Sequence, residues 1–285
     1  MNQDHDDLED ADGRIDPGMW KGDQVPGDCS MVQPVDFRSI TVITIIMVIA
    51  CLALSAGCSK QGATAIEVQQ HGAMRAVMRD GQTEARVGLV DVSSQGVIAV
   101  GALAGLEGEV TILDGKVWVA RPDGDGVQIS GPSASPSDQA TLLTVASVAR
   151  WDRVELTMEK SATGAELEAL IEQTARDHGV DTTHPFPFVI DGVAERLEIH
   201  VINGFCPHAT NPTSIDAEPW RWSTDEPRSA RIVGFYAADA AGVLTHHGTA
   251  IHVHAIIEYD GRVLTGHIDG LTLKPGASLQ LPAAD

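Results

Sequence analysis

From Gly248 to Gly270 the chain reads GTAIHVHAIIEYDGRVLTGHIDG, and its apolar residues alternate. Ile251, Val253, Ala255 and Ile257 interleave with His252, His254, Ile256 and Glu258, the period of a β-strand. Asp260-Gly261 then supplies the two-residue turn that right-twisted strands favour. With those two residues as the whole loop, Tyr259 faces Arg262 and His254 faces His267. His252, two residues before His254, points to the same side.

The rest of the chain repeats this strand-and-turn pattern. GLVDV, GVIAVGALAG, EVTILDG and KVWVARP, beginning at Gly88, each read as a strand, with Asp114-Gly115 turning EVTIL into KVWVA. Residues 122–138 are rich in Gly, Pro, Ser and Asp and read as a loop. Thr141 to Val148, Arg153 to Met158, Phe186 to Asp191, Arg196 to Asn203, Ala230 to Tyr236 and Ser278 to Leu281 are strand-like, and Pro207 to Pro227 reads as a loop carrying Trp220 and Trp222. Val68 to Met78 has apolar residues near helical spacing and predicts a short helix, weakened by Gly72. Thr163-Gly-Ala-Glu166 is a capping box, followed by Leu167, Leu170, Ile171 and Thr174 at helical spacing and by Gly179 at the stop. The sum is a mostly-β α+β single domain of twisted mixed or antiparallel sheets with one or two helices.

The N-terminus has a different texture. Residues 1–30 are acidic and poor in aliphatics, either disordered or a mis-called start, with Met31 as the better initiator. Ser39 to Gly57 is almost wholly apolar and ends in LSAGC. Residues 31–58 thus resemble a lipoprotein signal with Cys58 as the lipidated residue; an uncleaved membrane anchor is the alternative. Either way the globular part, residues 66–285 after a 59–65 linker, is expected to be exported and tethered to a membrane. Formal net charge is −21, and ten of the forty acids but three of the nineteen Lys and Arg precede Cys58, so the domain itself is acidic. Nucleic-acid binding, which needs phosphate neutralisation, is disfavoured. Cys29, Cys51, Cys58 and Cys206 form no CxxC, so no zinc-finger spacing is present.

Three imidazoles on facing strands suit a metal ion. Directly opposed residues have Cβ atoms ~5 Å apart. His252, His254 and His267 would give a nitrogen-rich, borderline-soft site for zinc, with a coordination position left open as in catalytic centres. The alternative is a solvated strand face that carries histidine. His247, or its neighbour His246, is a second candidate near the metal, since adjacent strand residues face opposite ways. Asp269, opposite His252 in this register, is a candidate to orient that imidazole.

Two segments resemble the α-acetolactate decarboxylase family. GALAGLEGEVTILDGKVWVARPDG, from Gly101 to Gly124, is similar to that family's segment with two L-D-G motifs, and RIVGFYAADAAGVLTHHGTAIHVHAIIEYDGRVLTGHI is similar to its H-x-H…G-H segment. FPFVIDGVAERLEIHV falls where the family has a strand pair around I-D-G, and the resemblance runs from about Ile66 to about Leu281. It implies a zinc enzyme converting acetolactate, a small 2-hydroxy-3-oxo acid, to acetoin and CO2. It also implies zinc on His252, His254 and His267, with Glu109 in the active site as the proton-transfer or substrate-orienting group. His200 falls near a position where the family carries a basic residue and is a candidate substrate contact. Val189 stands where the family has an arginine, no glutamate follows His267, and the His254–His267 spacing is about two residues longer than the family's. A non-catalytic zinc- or ligand-binding lipoprotein domain on the same fold is therefore the alternative function. A homodimer is compatible with either.

Overall fold

A computed structural model describes residues 66–204 and 218–283; the N-terminal segment with Cys58, and Cys206, lie outside the described residues. Fifteen strands and three α-helices follow one another through the described residues. The first seven strands are β1 (Val68–His71), β2 (Val87–Gly88), β3 (Val97–Leu103), β4 (Glu109–Leu113), β5 (Lys116–Asp123), β6 (Gly126–Ser130) and β7 (Gln139–Ser147). They form one sheet in the order β1-β7-β3-β4-β5-β6, with β2 also on β7. The rest are β8 (Trp151–Glu155), β9 (Ala162–Thr163), β10 (Phe186–Val201), β11 (Trp220–Thr224), β12 (Arg228–Tyr236), β13 (Ile251–Tyr259), β14 (Arg262–Leu273) and β15 (Ser278–Pro282). These build a second sheet in the order β8-β15-β10-β12-β13-β14-β9, with β11 on β10. All pairings between these strands are antiparallel.

The helices are α1 (Met74–Asp80), α2 (Leu89–Val92) and α3 (Gly164–Asp177). The expected mostly-β α+β domain is what forms. None of the helices among the described residues is long and apolar enough to cross a membrane.

The first sheet is covered on both faces, which explains its unbroken apolar runs. All seven residues of β3, VIAVGAL, are buried. One face packs Val97, Ala99, Val110, Ile112 and Leu143 with Leu89 of α2. From the other face Ile98, Val100 and Ala146 meet Val189, Val233 and Phe235 of the second sheet. The second sheet's other core packs Phe186, Phe188, Ile190 and Leu197 against Leu167, Ile171 and Ala175, the apolar stripe of α3.

Within the second sheet β10 pairs with β12, β12 with β13, β13 with β14, and β14 with β10 again, so the four strands close into a ring. Closure requires β10 to bend, and register shifts at Ala194/Arg196 and Glu198/Ile199 mark the bends. The two strands expected over 186–203 are thus one continuous strand. Four other expectations change. Val68 to Met78 is a strand, a turn at Gly72 and then α1. GLVDV carries α2, because one helical turn places Leu89 in the core. The loop expected over 122–138 contains β6, turned at Gly124-Asp125 with Asp123 opposite Gly126. The loop expected over 207–227 contains β11, an edge strand on β10.

Candidate metal centre

The β13–β14 hairpin has the register read from the sequence: Tyr259 faces Arg262 and His254 faces His267. Asp260 and Gly261 have φ of 50° and 71°, the left-handed pair that a two-residue turn requires. Beyond the turn, Gly266 lets the strands of the ring approach; a Cβ there would lie 2.6 Å from the His200 carbonyl oxygen. His252, His254 and His267 are buried, and their candidate ligand atoms lie within 4.8 Å of one another.

The histidine face turns toward the first sheet, where β4 supplies Glu109 and Thr111 on alternate residues. Glu109 Oε2 lies 3.6 Å from His254 Nε2, and Oε1 lies 3.8 Å from His200 Nε2. Thr111 Oγ1 is 2.9 Å from His254 Nδ1 and 2.9 Å from Thr265 Oγ1, all of it buried. His200 faces His267 across β10 and β14, the rings 4.9 Å apart. Its Nδ1 is 2.7 Å from Asp269 Oδ1, whose other oxygen accepts from Arg221 Nη1 at 2.6 Å. Asp269 therefore orients His200, not His252 as the simple hairpin register suggests: beyond His267, β14 pairs with β10 across a register shift, while His252 pairs with Phe235 on β12. Of the two adjacent histidines, His246 is the one beside the triad, 5.2 Å from the His267 ring, and His247 is exposed. The apolar side chains of Met74, Val77, Leu106, Leu142 and Ile202 wall the same cavity.

This wall sets the charge states. Burial, reinforced by His246, lowers the His252 pKa to about 3. Burial and the neighbouring imidazoles hold His254 and His267 well below the usual histidine range. Three neutral imidazoles are what a metal ion needs. Glu109 is raised to about 8, first by burial and also by Asp269, against the lowering effect of the Ile202 N–H bonded to it. A neutral, proton-carrying carboxyl therefore faces three uncharged imidazoles.

The donor set fits zinc. His252 Nδ1 and His254 Nε2 are buried with no hydrogen-bond partner, a condition that costs free energy until something accepts their lone pairs. His254 Nε2 is open because Nδ1 is taken by Thr111. Val189, where the resemblance leads one to expect an arginine, lies in the cross-strand row of His254, with Val233 between them. It is buried with Ile98, Val100 and Phe235. Arg121 is engaged by Asp138 and Arg196 by Glu198, whereas Arg221 reaches the edge of the site through Asp269. The sequence reading missed Thr111, Thr265 and Arg221. The first two were within reach of the period-2 rule, standing two residues from Glu109 and His267; Arg221 was hidden in the presumed loop.

The α-acetolactate decarboxylase family matches over residues 68–283. Comparison with curated proteins gives no match. Among solved structures, α-acetolactate decarboxylase from Bacillus subtilis strain 168 is similar at 18% identity and a TM-score of 0.57, over 75% of this chain and 84% of that one. A Staphylococcus aureus protein of unknown function, described as similar to α-acetolactate decarboxylase, gives 17% identity and a TM-score of 0.55 over 75% and 84% of the chains. At these identities the structures speak for the fold, but the family match spans most of the chain: the protein belongs to the α-acetolactate decarboxylase family.

Proposed function

We propose that the protein is a zinc-dependent decarboxylase of a small 2-hydroxy-3-oxo acid, acetolactate being the first candidate, giving acetoin and CO2. The observation that carries this reading is the buried carboxyl of Glu109, 3.6 Å from His254 and beside the buried cluster of His252, His254 and His267. His252, His254 and His267 would hold the zinc. Bound there, zinc supplies Lewis-acid polarisation of the substrate's hydroxyl and ketone oxygens.

The chain's own groups account for the proton. Breaking the bond to the carboxylate leaves its electron pair to pass into the neighbouring ketone, and the carbon left behind takes up one proton. Glu109, whose pKa burial raises to about 8, lies in a cavity walled by Met74, Val77 and Leu106 and would supply that proton. His200, oriented through Nδ1 by Asp269, turns Nε2 toward Glu109 and is placed to restore the proton.

The test is turnover of racemic acetolactate by the zinc-loaded full-length protein, read as acetoin and CO2. Glu109→Gln is expected to lower the rate on the order of 10²- to 10⁴-fold while zinc stays bound. A folded, zinc-loaded protein with no turnover would favour a non-catalytic ligand-binding domain, the reading that the apolar Val189 supports. We also propose that Cys58 tethers the domain to a membrane after export; incorporation of labelled fatty acid, absent in Cys58→Ala, is the expected result.

A further inference from the structure

We propose that Thr111 and Thr265 form a hydroxyl relay that fixes the tautomer of His254 and so sets the metal affinity of the centre. The inference rests on the zinc reading above. Thr111 comes from β4 of the first sheet, and His254 and Thr265 come from β13 and β14 of the second. All three side chains are fully buried. Thr111 Oγ1 stands 2.9 Å from His254 Nδ1 and 2.9 Å from Thr265 Oγ1, so one hydroxyl bridges a ring nitrogen and a second hydroxyl.

Proton counting gives this bridge its effect. A neutral imidazole has one N–H and one lone pair, and a hydroxyl has one donor and two acceptor sites. His254 Nε2 faces the centre with no protein hydrogen-bond partner. To bind a metal it must carry the lone pair, which puts the proton on Nδ1. Thr111 accepts that proton's hydrogen bond and passes its own to Thr265. A side chain without the hydroxyl leaves the Nδ1–H buried and unpaired, and favours the opposite tautomer, whose Nε2–H faces Glu109 Oε2 at 3.6 Å and cannot ligate. Thr111 is thus a positioning residue acting through His254. Because the bridge crosses from one sheet to the other, the same two hydroxyls pin the hairpin's histidine face to β4.

The test is the zinc dissociation constant of the full-length protein, measured by competition with a chromophoric chelator. Thr111→Val, which keeps the shape, is expected to weaken zinc 10- to 100-fold, and Thr111→Ser to restore it to within about threefold of wild type. Thr265→Val removes only the outer partner and is expected to weaken zinc by roughly 3- to 10-fold, decisive even where Thr111→Val does not fold. Cobalt in place of zinc should show a shifted visible band in the valine variants and the wild-type band in Thr111→Ser. Wild-type protein that binds no zinc overturns the metal reading itself. Wild-type protein that binds zinc while Thr265→Val, and Thr111→Val where it folds, bind it as tightly overturns the relay alone.

Discussion

At the scale of single residues, the site is held together by burial that is unfavourable for one of its members. Glu109 keeps its proton in the folded protein to about pH 8, whereas an ordinary glutamate releases it near 4.5. Between those values the folded state binds more protons at Glu109 than the unfolded chain does, so the contribution of this group to stability falls as pH rises. In zinc-free, chelator-treated protein, denaturant midpoints are expected to decline from about pH 6.5, the ordinary histidine value, to pH 8. Glu109→Gln, which cannot ionise, is expected to flatten the decline; equal slopes in the two proteins would contradict the buried-acid assignment. Below their ordinary 6.5 the histidines act the other way: with the His252 pKa lowered to about 3, and His254 and His267 well below 6.5, the unfolded chain binds more protons at them, so their contribution rises with pH and levels off above about 6.5. A buried carboxyl at a cavity beside three histidines supports the role proposed for Glu109.

At the scale of elements, hairpin and helix show what local chemistry specifies. In the capping box of α3, the Thr163 N–H and hydroxyl both donate to Glu166 Oε2, at 3.0 and 2.9 Å. The Thr163 N–H and hydroxyl together with Lys160 lower the Glu166 pKa to about 2. Its contribution is therefore present above the ordinary 4.5 and lost as pH falls through about 2. Thr163→Ala is expected to cost about 1 kcal/mol in denaturant unfolding near neutral pH. Gly266→Ala drives a methyl into the backbone of β10 and is expected to cost on the order of 1–3 kcal/mol, with zinc binding weakened as the His200–His267 pair is spread. Unchanged stability would mean that the ring is looser than its register implies.

Both of these elements were legible in the sequence because their determinants are local: a capping box of four residues, and alternation around Asp260-Gly261. Strands β6 and β11 were not, because each is short and set among Gly, Pro and polar residues, and each is held by its neighbour rather than by its own pattern. The apolar run that became α2 was too short for period to decide between helix and strand. The Asp269–His200 pair was invisible for a further reason: a register shift between β10 and β14 skips Asp269 in the ladder, and no sequence period encodes it.

At the scale of the whole molecule, the candidate centre lies at a seam. The second sheet contributes the histidines and the first contributes Glu109 and Thr111, so neither sheet holds the site alone. A ligand that binds only the assembled seam stabilises the folded state, by about 2.7 kcal/mol at a hundredfold excess over its dissociation constant. Zinc is thus expected to raise the thermal midpoint and a chelator to reverse the gain, with no such difference in His254→Ala. The three-histidine set was legible in the sequence because it lies on one hairpin; the seam was not, because only packing brings residues 109 and 254 together.

Whether these residues form a working decarboxylase is decided by a turnover assay. Full-length protein loaded with zinc is mixed with racemic acetolactate, and acetoin and CO2 are followed against His254→Ala. Stoichiometric acetoin and CO2 are expected from the wild type and none above background from the variant. Folded, zinc-bound wild type that leaves acetolactate unchanged, or a variant that turns it over as fast, would overturn the proposed decarboxylase.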